Sequence, residues 1–431
     1  MKRLLKNCDI LILENGVWRA LRSAYCGIDG DTICWLSEQR PTDAYDEEKN
    51  LSGKLLIPGL INCHDHSPMV FLRGVGSDLN LQDWLTQYIF PLEAKWTDAG
   101  IKAASYLSIL EMLACGTTSY SDMYYRAENT VEAVCKAGMK ANLTRSTQGR
   151  PDLPYSANQD CKEGIALFDR FHNYNGGKIK IDFCIHAEYT NTPETIRAYS
   201  AACKERGAHM HLHLSETRTE HEACIAKFGK TPAELFDSLG TFENPTAAAH
   251  CVWVSDSDIE LLKARGVSPV HCPSSNMKIG SGFAPVQKML DRGLNVTIGT
   301  DGAASNNNLN MFEEMHLAAV IHNGYQNDPT IMKPGDILKM ATVNAAKLQG
   351  RPDTGELKVG NKADIVAIDF DKPHLIPALD YPAMLVYAVQ DSDVCMTMVD
   401  GQILYENGEY KTLDAEKIKA EARQELKKLY E

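Results

Sequence analysis

Apolar residues recur along this chain in short runs, and between residues 55 and 299 each run is followed by a helical or mixed segment. Eight runs read as strands: 55–63, 117–123, 139–145, 179–186, 209–214, 246–254, 267–271 and 295–299. Strand then helix, repeated eight times, predicts a (β/α)8 barrel over 57–354 with its chemistry at the carboxyl ends of the strands. Two helices mark their own ends. The apolar spacing of 98–115 is helical and Gly116 follows it, and Thr192-Pro193 sets an N-cap residue before a proline at the first helical position. Residues 1–56 instead alternate short apolar runs with Asn15-Gly16 and Asp29-Gly30, and residues 355–431 do the same around Asp400-Gly401 and Asn407-Gly408. Neither end has enough strands to close a core alone, so both together predict one composite β-sandwich. Residues 414–431 read as a polar surface helix. The expected fold is therefore α/β: a TIM-like barrel with a small discontinuous β-sandwich formed by both termini.

Composition narrows the ligand. The chain has 431 residues and a net charge of -13, from 44 basic and 57 acidic residues, with no block of like charge. That excludes a nucleic-acid or anionic-membrane surface and favours a small molecule. Thirteen cysteines lie singly with no Cys-x-x-Cys pair, and no secretory leader opens the chain, which together predict a reducing cytoplasm. No apolar run approaches membrane-spanning length. The outer helix faces of a barrel leave room for a homo-oligomer.

Five of the eight predicted strand ends carry metal-binding or acid–base side chains. Strand one ends in His64 and His66, which face one side because residues two apart in a strand do. Strand four ends in His186 and Glu188, strand five runs His209, His211, His213 and then Glu216, strand six gives His250, and strand eight gives Asp301. Three imidazoles and one carboxylate suit a catalytic zinc with one position left for water. On strand five, His213 is nearest the mouth, while His209 and His211 read as packed or hydrogen-bonded core residues. Glu216 follows the strand, where a carboxylate can shuttle protons beside the open position.

Pro58-Gly59-Leu-Ile-Asn-x-His64-x-His66, His213-Leu-Ser-Glu216, Ala249-His250-Cys-Val-Trp and Gly299-Thr300-Asp301-Gly-Ala-Ala-Ser-Asn-Asn together resemble the amidohydrolase superfamily. More narrowly, they resemble its methylthioadenosine/S-adenosylhomocysteine deaminase branch, beside triazine chlorohydrolases and guanine deaminases. The resemblance implies a hydrolytic deaminase acting on adenosine-type nucleosides, a hydrolase of C–N bonds in cyclic amidines. It implies one divalent metal, zinc first with iron or manganese as alternatives, at His64, His66, His213 and Asp301. Glu216 and His250 match proton-transfer positions, with Asp301 helping to orient the attacking water. Glu93 matches an acceptor of both ribose hydroxyls and His186 a purine-edge contact. Trp84, in a lid-like segment, is either a substrate contact or local core. Arg145 matches one of two arginines that receive a 5′ amino-acid carboxylate. The second is absent from its place, and Arg150 substitutes only if its loop folds back. Small 5′ groups, as in methylthioadenosine or 5′-deoxyadenosine, therefore rank at or above S-adenosylhomocysteine.

Three other enzyme readings compete. A guanine- or triazine-type hydrolase shares the mononuclear site, with Glu93 arguing against it. A binuclear amide-ring opener needs a lysine at the end of strand four, where this chain has His186 and has Lys180 at the wrong end. The cytidine-deaminase type is mimicked by His186-Ala-Glu188 but lacks Pro-Cys-x-x-Cys. A non-catalytic scaffold barrel has no need of the full set of ligands together with Glu216 and His250.

Overall fold

The computed structural model describes residues 1–149 and 153–431. The alternating pattern of the first segment builds β1 (Lys2–Glu14), β2 (Val17–Asp29), β3 (Thr32–Ser37), β4 (Glu47–Asn50) and β5 (Lys54–Pro58). β1 and β2 form a hairpin across Asn15 and Gly16, both at positive φ as a tight hairpin turn demands. A register shift between Lys6 and Cys8 lets β1 pair in parallel first with β4 and then with β5. Gly59 takes the chain out of this sheet. A Cβ there would lie 2.2 Å from Thr118 Oγ1, so any larger residue would push the neighbouring strand away. The run 55–63, read above as one strand, is thus two strands in different sheets.

The barrel begins with β6 (Leu60–Asp65) and continues through β7 (Thr117–Tyr124), β8 (Lys140–Arg145), β9 (Ile179–Ile181), β10 (Phe183–Ile185), β11 (Met210–Leu214), β12 (Thr246–His250), β13 (Ser268–His271) and β14 (Thr297–Ile298). Neighbouring strands pair in parallel. β9 and β10 are one strand of the eight, interrupted at Asp182. The circle closes without a regular ladder. Asn62 Oδ1 accepts the Thr300 N–H at 3.0 Å, and the Asp301 N–H donates to the His64 carbonyl at 2.9 Å. A Cβ at Gly299 would lie 2.7 Å from the His64 backbone nitrogen, so the last strand presses directly on the first.

Helices clothe the barrel, among them α1 (Asp98–Ala114), α2 (Pro193–Glu205), α3 (Arg218–Phe228) and α4 (Met311–Gln326). Thr97 caps α1, which ends before Gly116, and Thr192 caps α2 ahead of Pro193, as the end signals predict. The terminal sheet is then completed by β15 (Ile365–Asp369), β16 (Val394–Val399), β17 (Gln402–Glu406) and β18 (Glu409–Tyr410), in the order β18-β17-β16-β15-β5-β1-β2-β3. Leu5, Ile10, Ile28, Leu56, Ile365 and Met396, drawn from both ends of the chain, share one core. The Ile33 N–H donates to the Asn361 carbonyl at 2.9 Å, so the sheet curls back over that core. A final helix, α5 (Ala415–Tyr430), reaches the barrel mouth through Tyr430, whose hydroxyl donates to the Phe71 carbonyl at 2.8 Å. No helix among the described residues is long and apolar enough to cross a membrane.

Barrel and terminal sheet are joined by a buried cation. Lys140, at the start of β8, contacts Asp364 at 2.6 Å and Asp400 at 2.7 Å, with its side chain 5% exposed. Removing the ammonium takes the ion pair from Asp364 and leaves Asp400 only the more distant Lys178, at 3.6 Å, in a poorly solvated place. Lys140→Met is therefore expected to cost roughly 3–5 kcal/mol of stability in denaturant unfolding. A loss below about 1 kcal/mol would mean that water screens this contact.

Candidate active site

Several strands leave the barrel in a conformation that turns the next side chain inward. Ser215, His250 and Asp301 are all left-handed, at φ 48°, 71° and 58°. Such residues cost roughly 1–3 kcal/mol each and persist where the surroundings hold them. The turn at Ser215 sends Glu216 over the barrel mouth, and the other two aim His250 and Asp301 at β6.

The result is a convergence of ring nitrogens. His66 Nδ1 lies 2.6 Å from the Met123 carbonyl and His213 Nδ1 lies 2.7 Å from the His186 carbonyl, so each ring donates there and presents Nε2 inward as a lone pair. His64 Nδ1 contacts His211 Nε2 at 2.9 Å, leaving its own Nε2 buried without a hydrogen-bond donor. His66 Nε2 and His213 Nε2 are 3.4 Å apart, and Asp301 Oδ1 lies 3.3 Å from His64 Nε2 and 3.2 Å from His66 Nε2. Lone pairs and a carboxylate crowded together repel unless a cation sits among them. Bonds of about 2.0–2.1 Å around a tetrahedral zinc place its ligand atoms roughly 3.3–3.4 Å apart, the spacing found here. Two overlapping triads, His64 with His66 and Asp301 and His64 with His213 and His250, each bring ligand atoms within 4.8 Å of one another. Burial drives the His64 and His213 imidazoles well below their ordinary pKa, which keeps them neutral. Burial also opposes charge on Asp301, but the His64 and His66 rings beside it outweigh that and hold the carboxyl well below the usual range. Ser275 Oγ and Ser305 Oγ donate to its other oxygen at 2.6 and 2.8 Å.

Glu216 and His250 face each other across this point, with Glu216 Oε2 3.8 Å from His250 Nε2. His250 Nδ1 is engaged at 2.9 Å by Asn276 Oδ1, which leaves Nε2 free toward Glu216. Burial raises the pKa of Glu216, while His250 opposes the shift. Its Oε1 accepts from Ser281 Oγ at 3.4 Å.

A helical segment over 81–93 covers the cavity and brings Trp84 and Glu93 to its wall, opposite His186. Glu93 Oε1 accepts from the Tyr124 hydroxyl at 2.7 Å, which accepts in turn from Trp96 Nε1 at 2.9 Å. Burial raises Glu93 to about 7. Burial holds His186 down to about 3, with His66 and His250 adding to the effect, so this ring is neutral. Trp84 is buried and donates to the Val75 carbonyl at 2.9 Å, so it is both local core and cavity wall. Arg145 stands apart, in an adjoining cavity that shares Phe90, Glu93 and Tyr125 with the first. Its guanidinium is bound by Asp160 at 2.5 Å, Glu163 at 2.8 Å and the Ser146 carbonyl at 2.7 Å. Arg150 lies outside the described residues.

Sequence reading missed Asn276, Ser275, Ser281, Ser305 and Tyr124 as neighbours of the site. Their only signal is position, since Ser275 and Asn276 sit in a short helix (Pro273–Lys278) just after a barrel strand, Ser281 and Ser305 in loops, and Tyr124 ends a strand.

The amidohydrolase family model matches residues 55–404. A 5-methylthioadenosine/S-adenosylhomocysteine deaminase of Acetivibrio thermocellus is 41% identical over 435 residues and covers 100% of both chains. A 5′-deoxyadenosine deaminase of Methanosarcina mazei is 41% identical over 389 residues, covering 90% of this chain and 89% of that one. Among solved structures, an adenosine deaminase from Xanthomonas campestris with bound zinc superposes with a TM-score of 0.93 at 29% identity, covering 99% of this chain and 98% of that one.

Proposed function

This chain belongs to the amidohydrolase family, and from that premise we propose that it hydrolytically deaminates adenosine-type nucleosides to the inosine analogue and ammonia. The observation that carries the reading is the convergence of three imidazole Nε2 atoms and Asp301 beside Glu216, His250 and Glu93 in one cavity. His64, His66, His213 and Asp301 would hold one divalent ion, zinc by the chemistry of the donor set. Such an ion makes a nearby water acidic enough to act as a nucleophile at neutral pH.

The chain's own residues supply the remainder. An aromatic amine is a poor leaving group until its ring is protonated, so the reaction needs one proton taken from water and one delivered to the ring nitrogen. Glu216 carries it, because it faces His250 across the cavity and burial raises its proton affinity above that of an ordinary carboxylate. His250, oriented by Asn276, accepts a hydrogen bond from the attacking water at Nε2. Oxygen bonds to the amine-bearing carbon, the new hydroxyl gives its remaining proton to the amino nitrogen, and the C–N bond breaks to release ammonia, leaving the carbonyl product with the first proton on its ring nitrogen. Neutral His186 reads the purine edge, and Glu93, held by Tyr124, accepts from the ribose hydroxyls. Small neutral 5′ groups are preferred to an amino-acid tail, because Asp160 and Glu163 already engage Arg145.

Ammonia release by zinc-loaded protein tests the reading against adenosine, 5′-deoxyadenosine, methylthioadenosine, S-adenosylhomocysteine, guanine and a melamine-type triazine. Turnover confined to guanine or the triazine overturns it. Glu93→Ala is expected to lower kcat/KM for nucleosides roughly ten- to hundredfold, as loss of charged hydrogen bonds does, while sparing free adenine. Equal losses on adenine and adenosine would remove Glu93 from the ribose.

A further inference from the structure

Asp301 and His250 owe their aim to two stretches of chain, Ser275 and Asn276 in the short helix Pro273–Lys278 and Ser305 in the loop after β14. One carboxyl outside the cavity is bonded to both stretches. Glu314 lies in the first turn of α4 and is fully buried. Its Oε2 accepts the Ser274 N–H at 3.2 Å, and its Oε1 accepts from Ser274 Oγ and, at 2.8 Å, from Asn306 Nδ2. These partners sit immediately beside the two serines that donate to Asp301, Ser274 beside Ser275 and Asn306 beside Ser305. Asn306 Nδ2 also donates to the Thr300 carbonyl at 2.8 Å, which fixes the peptide leading into left-handed Asp301. Ser274 is the second residue of its helix, so its N–H has no acceptor within that helix, and Cys272 ahead of it supplies no side-chain cap. Glu314 is that acceptor, reached from another helix. A buried carboxyl stripped of its donors is costly, so the short helix and the loop settle where all three donors reach it.

We propose that Glu314 is the positioning residue that sets Asp301 relative to His250, by holding the helix that carries Ser275 and Asn276 against the loop that carries Ser305. Its role rests on Asp301 as a metal ligand and on His250 as the partner of the attacking water in the deaminase reading. A second tie joins the same two stretches, from Lys278 Nζ to the Ala304 carbonyl at 2.9 Å and to Asn307 Oδ1 at 3.1 Å. That tie comes from an exposed side chain at the far end of the short helix. If it alone set the geometry, changes at Glu314 would leave turnover untouched.

The test compares metal-loaded wild type with Glu314→Gln and Glu314→Ala, by deamination of methylthioadenosine and by zinc affinity in competition with a chromogenic chelator. Glu314→Ala removes all three bonds. It is expected to lose roughly 10²-fold in kcat at full metal loading with KM little changed, the cost of misplacing a reacting group by about an ångström. Zinc affinity is expected to fall about tenfold, the lower end for loss of outer support to a ligand, because Ser275 and Ser305 stand between Glu314 and Asp301. Glutamine has the same length but one acceptor oxygen, so either orientation sets its amide N–H against a donor at Ser274 or Asn306. A loss of roughly tenfold in kcat is expected there. In the double variant Glu314→Gln with Ser275→Ala, the loss should fall at least about threefold short of the product of the single losses, since both act on Asp301. A merely structural role would lower the unfolding midpoint, leave kcat alone and give losses that multiply. The proposal is overturned by a Glu314→Ala kcat within about threefold of wild type, by multiplying losses in the double variant, or by a KM rise that accounts for the whole fall in kcat/KM. If Glu314→Ala fails to fold, Glu314→Gln and the double variant decide. If the wild type deaminates no nucleoside, the zinc affinities decide: a loss in Glu314→Gln that does not multiply with that of Ser275→Ala keeps the placement of Asp301 while the deaminase reading fails, and an unchanged affinity ends both.

Discussion

Glu216→Gln is expected to bind nucleoside about as well as wild type while losing roughly 10²–10⁴-fold in turnover, the range a positioned acid–base group contributes. The amide keeps the shape of the side chain and the contact with Ser281 Oγ, and the backbone N–H of residue 216 keeps its acceptor on Glu220. Only the capacity to take and give a proton is removed. Ammonia release gives kcat, and calorimetric titration of the slow variant gives affinity. Turnover within tenfold of wild type would move the proton-carrying role elsewhere, with His250 the next group to test.

His213→Ala is expected to remove bound metal and activity together, as read by elemental analysis and ammonia release. The substitution deletes one of three inward Nε2 atoms, while the His186 carbonyl loses the ring donor and keeps the backbone N–H of residue 213 at 3.0 Å. His211→Leu is the graded control. His211 sits two residues deeper and its Nε2 contacts the far nitrogen of His64, so its loss should weaken metal affinity roughly 10- to 100-fold, as loss of a ligand's outer hydrogen-bond partner does. A His211→Leu protein with unchanged metal affinity would make that contact a matter of packing. A fully metallated His213→Ala would take His213 out of the ligand set.

Periodicity makes the barrel readable because each strand is a compact apolar run with a helix behind it, and spacing makes His64 and His66 readable as a pair. What periodicity cannot reveal is where one such run changes sheets. The stretch 55–63 is apolar throughout, and the break falls at Gly59 for a steric reason carried by Thr118. The last strand, read as 295–299, is only Thr297–Ile298, because side-chain and single backbone contacts at Asn62 and His64 take over from the ladder there. His211 reads as core from its depth, and it is buried, but its ring also serves His64. That second role depends on a contact 147 residues away along the chain. Arg145 matches a carboxylate-binding position, whereas Asp160 and Glu163 lie on a helix whose approach no local pattern signals.

The seam between β5 and β15 bears on how the chain is made. Lys54 pairs with Asp369, so β5 must wait for a partner synthesised most of a chain length later. At about 5–20 residues per second, that wait on a ribosome is roughly 15–60 s. During it, one edge of an apolar strand stays unpaired and open to other chains. Distant pairing of this kind also slows refolding from denaturant, since the closure entropy precedes any contact that rewards it. Substitutions along this seam would therefore show first in soluble yield and refolding rate.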